Sequence, residues 1–294
     1  MRSGFVAIVG RPNVGKSTLF NAMIGTKVSI MAPRPNTTRF SVRGVLHVSG
    51  AQAVFVDTPG LHKPRNELGG RLNDTAMEAL GDVDVVVAVL DATAPVGPGD
   101  RLVVERALGA LGQGGHLLVV VNKLDRARPH QVLERLLEAA GVVEAHGEGG
   151  AGAGAEYFPV SARSAKGVPE LVAAVLERLP EGPPYFPAGT VSDLPEAVAV
   201  AELVREQLLA TARDELPHSI ACVVTEWEWP RIRCEILVER ESQKPIVIGK
   251  GAERLKAVGQ AVRAQLDDGA YLELFVRVEP GWQRRRDALD RLGY

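Results

Sequence analysis

Between a short apolar run, Phe5 to Val9, and a stretch of helical pattern lies Gly10-Arg11-Pro12-Asn13-Val14-Gly15-Lys16-Ser17. A G-x-x-x-x-G-K-S segment that leaves a strand and opens a helix fits a loop that wraps backbone N–H groups around phosphate. The glycines let successive amides turn inward. Lys16 spans the β- and γ-oxygens, Ser17 offers its hydroxyl to Mg²⁺, and Thr18 follows in a helical turn whose positive end adds to the field. The segment implies a nucleoside triphosphatase and leaves the base open.

From Gly4 to about Leu179, β-branched runs alternate with helical patterns, predicting a mainly parallel six-stranded sheet covered on both faces. The strands are expected at Phe5 to Val9, Ser41 to Val48, Ala53 to Asp57, Val83 to Leu90, His116 to Asn122 and Tyr157 to Val160. The short Ser49-Gly50-Ala51 turn makes the second and third antiparallel, while the others need crossovers. The Gly/Ala-rich stretch Gly147 to Ala155 lacks periodicity and reads as a surface loop. Leu179-Pro180-Glu181-Gly182-Pro183-Pro184 cannot continue a helix and serves as a linker. A chain of 294 residues with ordinary globular composition then divides into an α/β P-loop domain, 1–184, and a second domain, 185–294. The second domain is read as α+β. Its elements are a helix from Glu196 to Ala212, strands Ser219 to Glu228 and Arg231 to Arg240, a helical stretch from Ala252 to Gln265, a strand Tyr271 to Val278, and a closing helix from Trp282.

Three further loops fall at predicted strand ends. Asp57-Thr58-Pro59-Gly60 places a carboxylate within water-mediated reach of Mg²⁺ and the Gly60 N–H on the γ-phosphate. Asn122-Lys123-Leu124-Asp125 is selective for the base, because the Asp125 carboxylate accepts from both N1–H and the 2-amino group of guanine, a pair adenine lacks. Asn122 is expected to tie this loop to the P-loop, and the Lys123 stem to pack on the base. Ser161-Ala162 follows the sixth strand and offers the Ala162 N–H to guanine O6. Thr37-Thr38 lies ahead of the second strand, where GTPases keep a threonine that completes the Mg²⁺ shell, with Thr38 the first choice. The metal ligands are thus Ser17, Thr38 and Asp57, and the catalytic set Lys16, Thr38, Asp57 and Gly60.

Leu61 stands where Ras-like GTPases carry a water-orienting glutamine, so slow unaided turnover is expected, with Leu61 turned away from the nucleotide. Asn13 is either a turn residue or a ligand for K⁺ between the phosphates.

The formal charge of −2 supplies no global basic field, so nucleic-acid binding would need a local patch. Met1 to Gly10 carries no signal-peptide pattern, and the apolar runs fall short of the roughly 20 residues that cross a bilayer. Cys222 and Cys234, the sole cysteines, read as reduced thiols placed symmetrically about Glu228 in a hairpin. None of the six histidines has metal-ligand spacing with another ligand.

With these residues in view, Gly10 to Thr18, Asn36 to Arg39, Asp57 to His62 and Asn122 to Asp125 resemble the bacterial Era GTPases. Glu215 to Ser219, Val247 to Gly251, Leu272 to Val278, Gly281-Trp282 and Ala288 to Tyr294 look like that family's type II KH domain. The resemblance implies a GTPase using GTP/GDP and Mg²⁺ that binds the 3′ end of small-subunit ribosomal RNA and assists assembly of the small ribosomal subunit. It also implies a cytoplasmic monomer, with peripheral attachment to the inner face of the membrane as a further location. RNA would meet the GxxG-type loop and the helix after it, through Ile248, Gly249, Lys250, Gly251, Ala252, Arg254 and Lys256. The loop reads Gly249-Lys250-Gly251-Ala252, with alanine at the second outer glycine. Either the loop is shifted or a methyl group is tolerated there. Five basic residues against two acidic between 240 and 256 leave a local charge of +3. Arg284-Arg285-Arg286 is a weaker basic signal, and Trp282 is expected in the core. The alternative function is a GTP-dependent regulatory module that docks protein or membrane rather than RNA.

Overall fold

The computed structural model describes residues 1–32, 34, 36–112, 114–146, 154–211 and 219–294. Two compact units emerge. The first comprises Met1–Met31, Thr38–Lys63 and Arg71–Asp193, and the second Ala32–Thr37, Pro64–Gly70 and Leu194–Tyr294. Most of the Gly147 to Ala155 loop, residues 147–153, and Glu215 to His218 of the expected KH signature lie outside the described residues.

In the first unit β1 (Arg2–Gly10), β2 (Val42–Val48), β3 (Ala51–Asp57), β4 (Val85–Asp91), β5 (His116–Asn122) and β6 (Glu156–Pro159) form one sheet in the order β2-β3-β1-β4-β5-β6. Only the β2–β3 pair is antiparallel, as the short turn predicts. Val85 to Leu90 and Leu117 to Val121 are buried throughout, because helices cover both faces of a parallel sheet. On one face α1 (Lys16–Ile24) lies beside α5 (Val168–Arg178). On the other, Ala7, Val9, Val86, Ala88 and Val119 meet apolar residues of α2 (Glu67–Glu78), α3 (Pro98–Ala110) and α4 (Pro129–His146).

The division between the units falls after Asp193 and not near residue 185. The prolines do end α5, but the backbone beyond them finds partners on the sheet. The wholly buried Gln52 accepts from the N–H groups of Tyr185 (2.7 Å) and Phe186 (3.0 Å) and donates to the Phe186 carbonyl (2.8 Å). Farther on, Val45 N donates to Val191 O at 2.8 Å, and Ser192 Oγ to Arg43 O at 2.6 Å.

The second unit contains α6 (Glu196–Thr211), β7 (Ala221–Glu228), β8 (Arg231–Val238), α7 (Lys244–Ile248), α8 (Glu253–Arg263), β9 (Tyr271–Val278) and α9 (Arg286–Arg291). Its sheet runs β7-β8-β9, with β7 antiparallel and β9 parallel to β8. The α-β-β-α-α-β order and mixed sheet are those expected of a type II KH domain. Val200, Val204 and Leu208 of α6 pack with Ile220, Ile232, Ile236, Val258 and Val262 in one core. The five-residue α7 begins Lys244-Pro245 and is too short to show a helical period, so sequence patterning passes over it. Cys222 and Cys234 are free, buried and within hydrogen-bond reach of each other; burial is the main cause that raises the Cys222 thiol. Trp282 is fully buried, with its indole N–H on Ser219 O at 3.1 Å, as core packing requires. Trp227 and Trp229 remain 37% and 54% exposed.

Candidate active site

The C-terminal ends of the parallel strands gather the loops singled out in the sequence. Gly10 closes β1, and α1 starts at Lys16 with Gly15 before it at φ 98°. A Cβ on Gly15 would stand 2.4 Å from Asn122 Nδ2, so both the backbone and the space demand glycine. Lys16 Nζ donates to the carbonyls of Gly10 (3.1 Å) and Arg11 (3.2 Å). Burial lowers its pKa to about 8, against a partial upward pull from the Asp57 charge.

Arg11 Nε bonds Asp100 Oδ1 on α3 at 2.6 Å, and Asp100 Oδ2 also accepts from Gly97 N at 2.9 Å. Behind the P-loop, Thr58 Oγ1 donates to Ile8 O at 2.8 Å, and Pro59 is buried. A Cβ on Gly60 would lie 2.7 Å from Pro12 N, so glycine is what lets this loop approach the P-loop. Leu61 N donates to Gly10 O at 3.2 Å. The Leu61 side chain, 4% exposed, packs in the α2–α4 core, turned into the fold as expected.

Ser17 Oγ and Thr38 Oγ1 are 2.7 Å apart, and Thr38 Oγ1 donates to Asp57 Oδ2 at 3.3 Å. Thr37 Oγ1 instead bonds the Arg34 carbonyl at 2.7 Å, so of the two threonines it is Thr38 whose hydroxyl meets Ser17 and Asp57. Asp57 is wholly buried, and that burial raises its pKa; the Lys16 charge and hydroxyl bonds from Ser17, Ser29 and Thr38 oppose the shift. Its Oδ1 has no hydrogen-bond partner. A buried carboxylate with one oxygen unpaired, its other oxygen bonded by the Thr38 hydroxyl and Ser17 Oγ next to that hydroxyl, is an all-oxygen set that suits a hard divalent cation and its waters, so the residues fit Mg²⁺.

At the base end, Asn122 Nδ2 donates to Val14 O at 2.9 Å, as expected, while Asn122 Oδ1 accepts from Lys123 N (2.7 Å) and Ala162 N (3.0 Å). The Ala162 N–H expected on guanine O6 is therefore already engaged by Asn122, and an oxygen at the base edge would share it. Lys123, at φ 73°, reaches Asn13 O at 2.7 Å and Asp91 Oδ2 at 2.6 Å. Burial works to raise the Asp91 carboxyl, and bonds from Lys123 and Thr93 overcome it, leaving its pKa lowered. Asp125 is exposed, with its Oδ1 accepting from Ser161 Oγ at 2.7 Å. Leu124 N donates to Val160 O at 3.2 Å, which docks the loop on the end of the sheet.

Four supporting residues escaped the sequence reading: Asn21, Ser29, Asp91 and Asp100. Asp91 had a usable signal, a carboxylate at the end of a strand parallel to two motif-bearing strands. The others had none.

In the second unit, Gly249 and Gly251 have φ 77° and 58°, and Ala252 follows at φ 62°, ψ 21°. The loop is not shifted; alanine itself takes the left-handed conformation ahead of α8. A Cβ on Gly249 would meet Arg254 Cβ at 2.9 Å. Lys250, Gly251 and Lys256 are exposed, Ile248 is half-buried, and Arg254 donates to the Ile246 carbonyl. Arg285 is engaged with Asp287 and Glu279, consistent with a solvated terminal helix.

A P-loop, a buried carboxylate beside hydroxyls and an Asn-Lys-Leu-Asp loop gathered at one sheet edge are the parts of a P-loop GTPase, here followed by a KH domain. Residues 5–123 match the family described as 50S ribosome-binding GTPase, and residues 215–283 the KH domain family. The chain is 43% identical over 304 residues to GTPase Era of Mycobacterium tuberculosis, covering 99% of this chain and 98% of that protein. The Mycobacterium avium GTPase Era is likewise 43% identical, over 305 residues, 100% of this chain and 99% of the relative. Among solved structures, a point variant of Aquifex aeolicus Era bound to GDP·AlF4⁻ superposes with TM-score 0.90 at 38% identity. An Era complex with MgGDPNP and nucleotides 1506–1542 of 16S ribosomal RNA gives 0.91 at 38%. Each match covers 100% of this chain and 99% of the solved one. The chain belongs to the Era family of GTPases.

Proposed function

We propose that this GTPase is a timed RNA-binding switch: with GTP bound it engages the 3′ end of small-subunit ribosomal RNA through its KH domain and assists small-subunit assembly, and hydrolysis ends the engagement. The observation that carries the reading is the Gly249–Ala252 loop at the head of α8, with positive φ at Gly249, Gly251 and Ala252 and with Lys250 and Lys256 exposed. Such a loop offers backbone N–H groups and a helix end to a nucleic-acid backbone. A relative in the same family binds 16S ribosomal RNA nucleotides together with MgGDPNP, which supports the same partner here.

In this reading the P-loop amides and Lys16 hold the phosphates, Asn122 braces the two loops, and Asp125 reads guanine. Ser17 and Thr38, with Asp57 behind them, would hold Mg²⁺, which would supply positive charge against the phosphates. Thr38 and the Gly60 N–H sense the γ-phosphate, and its loss frees both segments. Leu61 is packed in the core and cannot orient water, so unaided turnover is slow. Asn13, exposed in the P-loop, is the proposed K⁺ ligand; equal hydrolysis rates in K⁺ and Na⁺ at fixed ionic strength would remove that role.

The protein would act in the cytoplasm, where the small subunit is assembled, as a monomer. Attachment at the inner membrane face would be peripheral, since no helix among the described residues is long and apolar enough to cross a membrane. The test is filter binding of the full chain to an RNA spanning the 3′ end of 16S rRNA, with GTP analogue or GDP, over a salt series. Tighter binding with the analogue, weakening with salt, is expected. Absence of binding at low salt would favour the docking of protein or membrane instead.

A further inference from the structure

Asp57 Oδ2 is crowded while Asp57 Oδ1 is bare. Ser29 Oγ donates to Oδ2 at 2.7 Å, and Thr38 Oγ1 reaches the same atom at 3.3 Å. Thr38 and Ser17 are both assigned to the cation. Ser29 is not, so holding the carboxylate is the role its hydroxyl has in this site.

Ser29 is itself gripped from the P-loop helix. Asn21 of α1 accepts on Oδ1 from Val28 N and Ser29 N, both at 2.9 Å, and donates from Nδ2 to Ser29 O at 2.7 Å. Asn21 and Ser29 are both buried. One amide thus fixes the Ser29 backbone on both its N–H and its C=O, and from that held backbone the hydroxyl donates to Asp57 Oδ2. A buried asparagine spent wholly on a neighbouring loop is an expensive way to hold that loop unless its exact position matters.

We infer that Ser29, clamped by Asn21, is a positioning residue of the Mg²⁺ site: by holding Asp57 Oδ2 it fixes the carboxylate beside the Ser17 and Thr38 hydroxyls that would take the cation. Residues behind a metal's immediate partners orient those partners, and their loss commonly weakens metal binding about 10- to 100-fold. The inference rests on Asp57 serving the Mg²⁺ site. No metal is needed to see the clamp itself, which consists entirely of protein hydrogen bonds.

The test uses the full chain with a fluorescent GDP and a fluorescent non-hydrolysable GTP analogue. Nucleotide affinity is measured across a buffered Mg²⁺ series and again in chelator, for the parent, Ser29→Ala, Ser29→Thr and Asp57→Asn. Ser29→Ala is expected to raise the Mg²⁺ midpoint about tenfold, to leave the chelator affinity within about twofold, and to be rescued by Ser29→Thr. A Ser29→Ala midpoint equal to the parent's overturns the inference. An equal loss with and without Mg²⁺ also overturns it, since that is what a merely structural role in the loop would give. If Asp57→Asn leaves the midpoint unmoved, the reading of Asp57 fails first and takes the inference with it. Should Ser29→Ala not fold, the near-isosteric Ser29→Cys, a weaker donor, must shift the midpoint in the same direction, and an unshifted midpoint overturns the inference.

Discussion

The side-chain amide of Asn122 donates to the carbonyl oxygen of Val14 at 2.9 Å, across a gap of 108 residues. The loop that reads the base and the loop that wraps the phosphates are therefore joined directly. Lys123 adds a second strap through Asn13 O at 2.7 Å. Nucleotide binding does not have to bring the two halves of the site together, so less ordering cost is charged against affinity.

Asp125→Asn should lower GTP affinity at least about a hundredfold, because two charge-assisted hydrogen bonds to guanine are replaced by a mismatched amide. Xanthine nucleotides, with an acceptor in place of the 2-amino group, should be gained. Competition of GTP, XTP and ATP against a fluorescent nucleotide checks this, and retained GTP preference would relocate the base pocket.

Affinity for GDP should depend on pH through Lys16. The free protein holds Lys16 at about 8, and phosphate oxygens favour its charged form, so the bound pKa is the higher of the two. The sign follows: affinity is flat below pH 8 and declines above it, by about tenfold per pH unit until the bound-state value is reached. Calorimetry between pH 7 and 9 in two buffers should show proton uptake growing across that window. Constant affinity would mean that Lys16 is not the anchor.

Ala252→Gly should stabilise the second unit. Left-handed backbone costs a non-glycine residue about 1–2 kcal/mol, and the freedom glycine gains in the unfolded chain returns about 0.4–1 kcal/mol of that. The net gain is therefore about 0–1.6 kcal/mol, with a midpoint of about 0.8 kcal/mol. All three tryptophans, Trp227, Trp229 and Trp282, lie in this unit, so their fluorescence follows its unfolding in urea. A lower midpoint would show that the methyl group makes a contact worth more than the strain.

Leu61→Gln should not produce a faster enzyme. The side chain is buried in the core cluster that includes Ala7, Val9, Ala76 and Leu80, so glutamine would bury an amide there at a cost of about 1–3 kcal/mol. Single-turnover hydrolysis within about threefold of the parent, with a lowered melting temperature, is expected. A tenfold faster variant would show that position 61 swings outward in the GTP form.

The chemistry of the site was legible because its groups sit in contiguous motifs, each placed where a parallel strand ends. Gly10–Ser17, Asp57–Gly60 and Asn122–Asp125 announce themselves by residue type and spacing. Ser29, Asp91 and Asp100 do not, because each acts on a residue 28 to 89 positions away and carries no local pattern. At Ala252 the departure from glycine was plain, but only the backbone shows which of two explanations holds. The domain limit was misplaced because proline chemistry reports where a helix stops. It says nothing of Gln52, a buried side chain more than 130 residues upstream, waiting for the chain that follows.

The end of that same stretch, Thr190 to Asp193, runs along β2, the outermost strand of the first sheet, pairing Val191 with Val45 and Ser192 with Gly44. It works as a built-in selvedge, occupying backbone groups that would otherwise be open to a strand of a neighbouring molecule. A truncated nucleotide-binding fragment cut at the prolines would lose this trim and be prone to self-association. One carried through Asp193 would keep it.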